Sequence, residues 1–240
     1  MSTQPPIQAL LFDVFGTLVD WRATIVRTGQ RRFGQRFALL DWPAFAEAWR
    51  AGYRPKLDAI LTQQAPWRDI DAIHREILDE LAPRFGLETL KEDERADFNL
   101  VWRQLDGWPD SAEGLVRLRC HFTVATLSNG SEPLLRALSA HAGLGWDHIL
   151  SADLLESYKP DPAMYRQAVA RLGLNPDQVM MVTAHLSDLR AARSIGLKTA
   201  YIPRPDEYGK RTTFEPHSAS HYDLTAPSLT ALADLMLPQH

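Results

Sequence analysis

The chain is poor in cysteine, in net charge and in long apolar runs, and each shortage excludes a class of protein. A single cysteine, Cys120, leaves no intramolecular disulfide to staple the fold and suits a reducing compartment. With 26 basic against 30 acidic side chains the net charge is −4, which gives neither nucleic acid nor an anionic membrane an electrostatic foothold. No apolar run approaches the length of a membrane crossing. The opening Met1-Ser2-Thr3-Gln4-Pro5-Pro6 lacks the charged and apolar regions of a secretory signal, so a cytoplasmic protein is expected. Internal repeats and low-complexity tracts are missing too. The remainder is ordinary for a globular protein, with 240 residues, 45% hydrophobic and 23% charged, enough for one sizeable domain or a core carrying an insertion.

What is there is organised around the first apolar run, Ile7 to Phe12, followed by Asp13-Val14-Phe15-Gly16-Thr17-Leu18. A short uninterrupted apolar run reads as a strand buried on both faces. Asp13 stands at its carboxyl end, where an open α/β sheet forms its ligand crevice. A carboxylate there is costly unless something uses it. Gly16 permits a sharp turn, and Thr17 can aim a hydroxyl back over the strand end. Asp13 taken alone is better explained as a strand-end residue that caps a turn.

From Leu18 to about Trp108 the chain is rich in Trp, Arg, Ala, Leu and Glu and reads as a block of helices. Asp41 before Trp42-Pro43 predicts a helix start, with Phe45 and Trp49 one turn apart on a buried stripe. A second helix is expected from Trp67 to Leu81, with Ile70, Ile73, Ile77 and Leu81 on one face, and a third from Glu92 to Leu105. From Pro109 helix and strand alternate. Asp110 and Glu113 have capping-box spacing. Strands are expected at Phe122–Leu127, Ile149–Leu150, Val179–Val182 and Thr199–Ile202, and helices open at Ser131, Pro162, Ser187 or Asp188, and Ser228. Such alternation predicts an α/β protein with a doubly wound parallel sheet. Residues 1–18 and 109–240 form the core in this reading, and 19–108 form an inserted helical cap.

Polar groups stand at four strand ends: Asp13 and Thr17; Ser128 and Asn129; Lys159; and Thr183, His185 and Asp188. Each singly has a structural explanation as a turn residue, a solvated lysine or a helix cap. Together, Asp13-Val14-Phe15-Gly16-Thr17, Leu127-Ser128-Asn129-Gly130, Tyr158-Lys159-Pro160-Asp161 and then Asp188, in this order and spacing, resemble the haloacid dehalogenase superfamily. The resemblance covers nearly the whole chain. It implies a Rossmann-like core under a helical cap, with Asp13 as nucleophile, Ser128 and Asn129 holding substrate and Lys159 orienting the carboxylate. An ammonium beside Asp13 would keep it ionised and ready to attack.

Within that superfamily the phosphatases need a second Asp two residues after the nucleophile, where this chain has Phe15, and a carboxylate pair for Mg²⁺, where it has Ala184. A departing halide needs no proton, but it needs a cationic cradle and an apolar wall. Phe15 supplies wall. Trp49-Arg50 matches the pair that the resembling 2-haloacid dehalogenases carry on a cap helix, which makes Arg50 the halide-binding arginine, and Tyr165 matches a site tyrosine of the same enzymes. The implied reaction converts an (S)-2-haloacid to an (R)-2-hydroxyacid through an ester on Asp13. Asp188, Thr183 and Lys159 position the hydrolytic water, and no cofactor or metal is required. The sequence departs from the family at Thr183-Ala184-His185, where Ser-Ser-Asn is usual, and at Ser187, where an aromatic is usual. His185 keeps a donor and adds a titratable group, and with Ser187 it motivates a pocket favouring fluoride over chloride. The competing readings are a Mg²⁺-dependent small-molecule phosphatase and a binding protein that keeps the fold without the chemistry. A small 2-haloacid is the expected partner, and the Trp-rich block offers a face for a homodimer.

Overall fold

The computed structural model describes residues 6–209 and 222–238; Met1–Pro5, part of the stretch read above as lacking a signal, lie outside the described residues. In chain order the elements are β1 (Ala9–Phe12), β2 (Val19–Asp20), α1 (Trp21–Phe33), α2 (Trp42–Leu61), α3 (Ile70–Leu81), α4 (Glu92–Asn99), β3 (Asp106–Gly107), α5 (Ser111–Arg119), β4 (Thr123–Ser128), α6 (Glu132–Ala142), β5 (His148–Ser151), α7 (Ala152–Leu155), α8 (Pro162–Leu172), β6 (Val179–Thr183), α9 (Leu186–Ser194), β7 (Lys198–Tyr201), β8 (Leu224–Thr225) and α10 (Leu229–Met236).

β1 is apolar and fully buried at every position, which only the middle of a sheet allows. Among the described residues the main sheet has six strands in the order β5-β4-β1-β6-β7-β8, and every pairing is parallel. Phe12 pairs with Thr126 on one side and Val182 on the other. The residues that follow these partners therefore emerge together at the carboxyl edge. Strand order reverses at β1, so the crevice of a doubly wound sheet opens directly above Asp13. The expected α/β architecture is the one observed.

The chain leaves and rejoins this layer through a two-stranded antiparallel ribbon, with Val19 opposite Gly107 and Asp20 opposite Asp106. Between the ribbon strands lie α1 to α4. Side-chain caps start three of them: Asp20 accepts from the Ala23 N–H, Asp41 from Ala44 and Asp69 from Ala72. The Asp69 cap explains why the second helix opens at Ile70 and not at Trp67. The third, expected to reach Leu105, ends at Asn99 and tightens into a 3₁₀ turn over Leu100–Arg103. Phe45, Trp49, Phe98 and Trp102 are fully buried and form one aromatic cluster, with Phe45 stacked on Phe98 at 6.0 Å and Trp49 edge-on to Trp102 at 5.5 Å. Trp21 and Trp42 are buried as well, so the tryptophans of this block are chiefly core; Trp67 is the one left substantially exposed, at 41%.

The capping box expected at Asp110 and Glu113 does not form. Asp110 accepts both ends of the Arg204 guanidinium, at 2.8 and 2.9 Å, and the Leu229 N–H at 2.6 Å. A charge-assisted bidentate pair outcompetes a local cap. It also fastens the loop after β7 to the core, because Arg204 Nε donates to the Thr17 carbonyl at 2.9 Å.

Candidate active site

Asp13 is buried, yet three donors surround its carboxylate. Lys159 Nζ lies 2.6 Å from Oδ1, Thr17 Oγ1 donates to Oδ2 at 2.6 Å, and His185 Nδ1 lies 3.0 Å from Oδ2. Burial pushes the Asp13 carboxyl up, but the Lys159 ammonium and the His185 ring more than cancel it and hold it well below the usual range. The group is a committed anion.

Lys159 reaches the centre because Asn129 clamps its backbone: Asn129 Oδ1 accepts the Lys159 N–H at 2.7 Å. Its Nζ bridges Asp13 and Asp188, donating to Asp188 Oδ2 at 2.6 Å. Burial alone would lower the lysine pKa, but the two carboxylates raise it above the ordinary value. Asp188 is held on its other oxygen by Tyr165 Oη at 3.0 Å, while Thr183 Oγ1 donates more loosely, at 3.4 Å, to the oxygen that Lys159 holds. Asp13, His185 and Asp188 offer ligand atoms within 4.8 Å of one another, but Lys159 Nζ fills the position between the two carboxylates.

A cavity of about 650 Å³ opens over this cluster. Of the residues singled out in the sequence, Asp13, Phe15, Arg50, Asn129, Lys159, Ala184, His185, Ser187 and Asp188 line it. Thr17, Thr183, Tyr165 and Ser128 stand behind the wall: the first three hold the lining side chains, and the buried Ser128 Oγ accepts the Gly130 N–H at 3.2 Å. The ring of Phe15 meets Trp102 edge-on at 6.2 Å and so joins the strand-tip loop to the helical block.

Arg50 projects from α2 into the cavity. Its guanidinium carbon sits 4.4 Å from the centre of the Tyr53 ring, 5.7 Å from Trp21 and 5.9 Å from Phe15. Its Nε, shielded from solvent, has no hydrogen-bond partner among the described residues. A cation caged by aromatic faces and opening on the cavity could receive an anion.

The sequence reading missed Glu207. It lies in the loop after β7, is only 4% exposed, and accepts from Trp21 Nε1 at 3.0 Å. Both of its oxygens lie 3.1 Å from His185 Nε2. Burial raises its carboxyl pKa, but His185 and then Arg50 and Trp21 bring it below the usual value. For His185 burial lowers the pKa, and the Glu207 and Asp13 carboxylates carry it well above the ordinary 6.5. The available signal was its position, since loops at the carboxyl ends of parallel strands supply ligand-site residues.

Comparison with known proteins agrees with this arrangement. Residues 7–196 match the haloacid dehalogenase-like hydrolase family. The (S)-2-haloacid dehalogenase 4A of Burkholderia cepacia is 32% identical over 212 residues, 84% of this chain and 87% of its own length. Among solved structures, the L-2-haloacid dehalogenase PA0810 superposes with a TM-score of 0.91 at 41% identity, covering 95% of this chain and 98% of that one. The defluorinating L-2-haloacid dehalogenase Rha0230 gives 0.90 at 38% identity, covering 96% and 95%. Similarity on this scale reaches both the sheet and the helices inserted after its first strand, and by it the chain belongs to the haloacid dehalogenase-like hydrolases.

Proposed function

We propose that the protein hydrolyses the carbon–halogen bond of small (S)-2-haloalkanoic acids and yields (R)-2-hydroxyacids through an ester on Asp13. The observation that carries this reading is a carboxylate held by an ammonium and an aromatic-caged guanidinium whose Nε has no partner among the described residues, both facing one cavity: Asp13 and Arg50. Two relatives whose names give this chemistry, and one whose name adds defluorination, support it.

Asp13 displaces halide from Cα in line, so configuration there inverts. Halide departs as a stable anion into the cradle of Arg50, with the rings of Phe15, Tyr53 and Trp21 as dry walls. The substrate carboxylate rests on the backbone N–H groups that follow Asp13 and on Asn129, which lines the cavity with the buried Ser128 behind it. Water positioned by Asp188, with Thr183 and Lys159 beside it, then attacks the ester carbonyl. Phe15 offers no proton to a leaving alkoxide, which disfavours phosphate monoesters. Residues 19–108 serve as a cap on the core formed by 1–18 and 109–240, contributing Arg50. The likeness to the defluorinating enzyme extends the proposal to fluoroacids. Fluoride-electrode readings with fluoroacetate no higher than without enzyme would remove that extension.

The reading places the enzyme in a reducing cytoplasm, where the exposed Cys120 stays a thiol. No helix among the described residues is long and apolar enough to cross a membrane. A homodimer using tryptophan from the helical block would have to use Trp67 or the partly exposed Trp108, because Trp21, Trp42, Trp49 and Trp102 are buried. Halide release from each enantiomer of 2-chloropropionate, with EDTA present, tests the function. Release from the (S) form alone, lost in Asp13→Asn, is expected; silence with both enantiomers would refute it.

A further inference from the structure

Two features stand outside that mechanism: the buried Glu207, and the unequal solvation of the two Asp13 oxygens. An ionised carboxylate offers about two lone-pair sites on each oxygen. At Asp13, Oδ2 is engaged twice, by Thr17 Oγ1 at 2.6 Å and His185 Nδ1 at 3.0 Å, whereas Oδ1 is engaged once, by Lys159 Nζ at 2.6 Å. We propose that Oδ1, with its free lone pair, attacks the substrate carbon, and that Oδ2 becomes the ester carbonyl oxygen whose developing charge is received by Thr17 and His185, with Glu207 as the residue that positions His185. The inference rests on the aspartyl-ester reading above.

Both ring nitrogens of His185 face carboxylates, Nδ1 toward Asp13 and Nε2 toward Glu207, and a carboxylate can only accept. Both nitrogens therefore carry protons, so His185 donates and has no lone pair with which to take a proton from water. The raised His185 pKa agrees with that geometry. Donors within about 2.7–3.1 Å of the future oxyanion are the requirement for this kind of stabilisation, and both residues stand at or near that range before reaction begins. Glu207 is fixed in turn by Trp21 Nε1, and its loop is anchored by the Arg204–Asp110 pair.

In the first step a lone pair of Oδ1 forms the bond to Cα while the carbon–halogen pair leaves with the halide. Water then adds to Cγ and passes one proton to Asp188, and the carbonyl pair moves onto Oδ2 between Thr17 and His185. As that pair returns, the Cγ–Oδ1 bond breaks and the alkoxide takes the proton from Asp188. The second water proton leaves as Asp13 ionises again beside Lys159.

The arrangement acts on the second step, so removing it should trap the ester. Mixing (S)-2-chloropropionate with His185→Ala should give a burst of about one halide per active site, an intact protein mass increased by the carboxyethyl group, and ester hydrolysis slowed about 10²–10³-fold, as for loss of one oxyanion donor. Glu207→Gln should give the same burst with a smaller slowing. His185→Asn should turn over without a burst, because its amide nitrogen, attached to Cγ like Nδ1, keeps a donor while removing any base. Slow halide release with no burst and no ester in His185→Ala would overturn the proposal, as would a burst in His185→Asn equal to that in His185→Ala. Should Glu207→Gln not fold, His185→Ala decides alone, its side chain being 24% exposed and more tolerant of change. Wild-type protein that releases no halide from either enantiomer would instead refute the function itself.

Discussion

A Cβ on Gly16 would stand 2.2 Å from Glu207 Oε1. The bare backbone of the strand-tip loop is what lets a carboxylate from a loop nearly two hundred residues later reach His185. Gly16 also holds φ at +87°, where a side chain is strained. Gly16→Ala should therefore push Glu207 off His185 and destabilise the protein. The backbone contribution alone, about 1–2 kcal/mol, corresponds to a Tm lower by about 2–8 °C. Thermal unfolding beside halide-release kinetics checks this; unchanged values for both would mean the Glu207 contact has no consequence.

Lys159 separates two buried carboxylates, each 2.6 Å from its ammonium. Lys159→Met removes the cation between Asp13 and Asp188 and leaves His185 as the cation in contact with Asp13. Removing one partner of a buried ion pair costs about 3–5 kcal/mol. The variant should show a lowered urea midpoint and little dehalogenation, since Asp13 and Asp188 lose the ammonium that orients both of them.

Arg50 makes no ion pair at contact distance among the described residues, so its loss should spare stability and damage binding. Arg50→Ala should reduce kcat/KM by about 10²–10³-fold, the scale of losing a preorganised charge-stabilising group, while its unfolding midpoint moves little. Steady-state halide release with urea unfolding separates the two effects.

Stability should depend on pH in opposite senses at the two ends. The His185 pKa is raised in the folded state, so between the ordinary 6.5 and its folded value the native protein binds more protons than the unfolded chain. Its contribution is complete below that range and is lost as pH rises through the folded value. The Asp13 pKa is lowered, so its contribution is present above 3.8 and lost as pH falls toward the folded value. Urea midpoints for wild type and His185→Asn should diverge most just below pH 6.5 and converge on the alkaline side; parallel curves would show that His185 does not titrate in this manner.

The elements that sequence made legible are those fixed by local chemistry. The apolar run ending at Phe12 could only be a central strand, and Ser131, Asp161 and Ser228 cap the helices they open. The four strand tips converge because a parallel sheet brings its carboxyl ends to one edge. What escaped depends on long-range competition. Asp110 has a cap's spacing but is claimed by Arg204 and Leu229, whose approach no local pattern encodes. Glu207 follows a Pro-Arg-Pro loop with no periodicity, and its function exists only because Gly16, His185 and Trp21 meet there in space. Arg50 was placed by resemblance; its aromatic cage comes from three separate segments.

The central claim is that water attacks Asp13 and never the substrate carbon. A single turnover of (S)-2-chloropropionate in H₂¹⁸O, with enzyme in excess, tests it most directly. The account predicts that ¹⁸O appears in the peptide containing Asp13 and that the 2-hydroxypropionate of this first turnover carries none. Label in that first-turnover product, with an unlabelled Asp13 peptide, would contradict it.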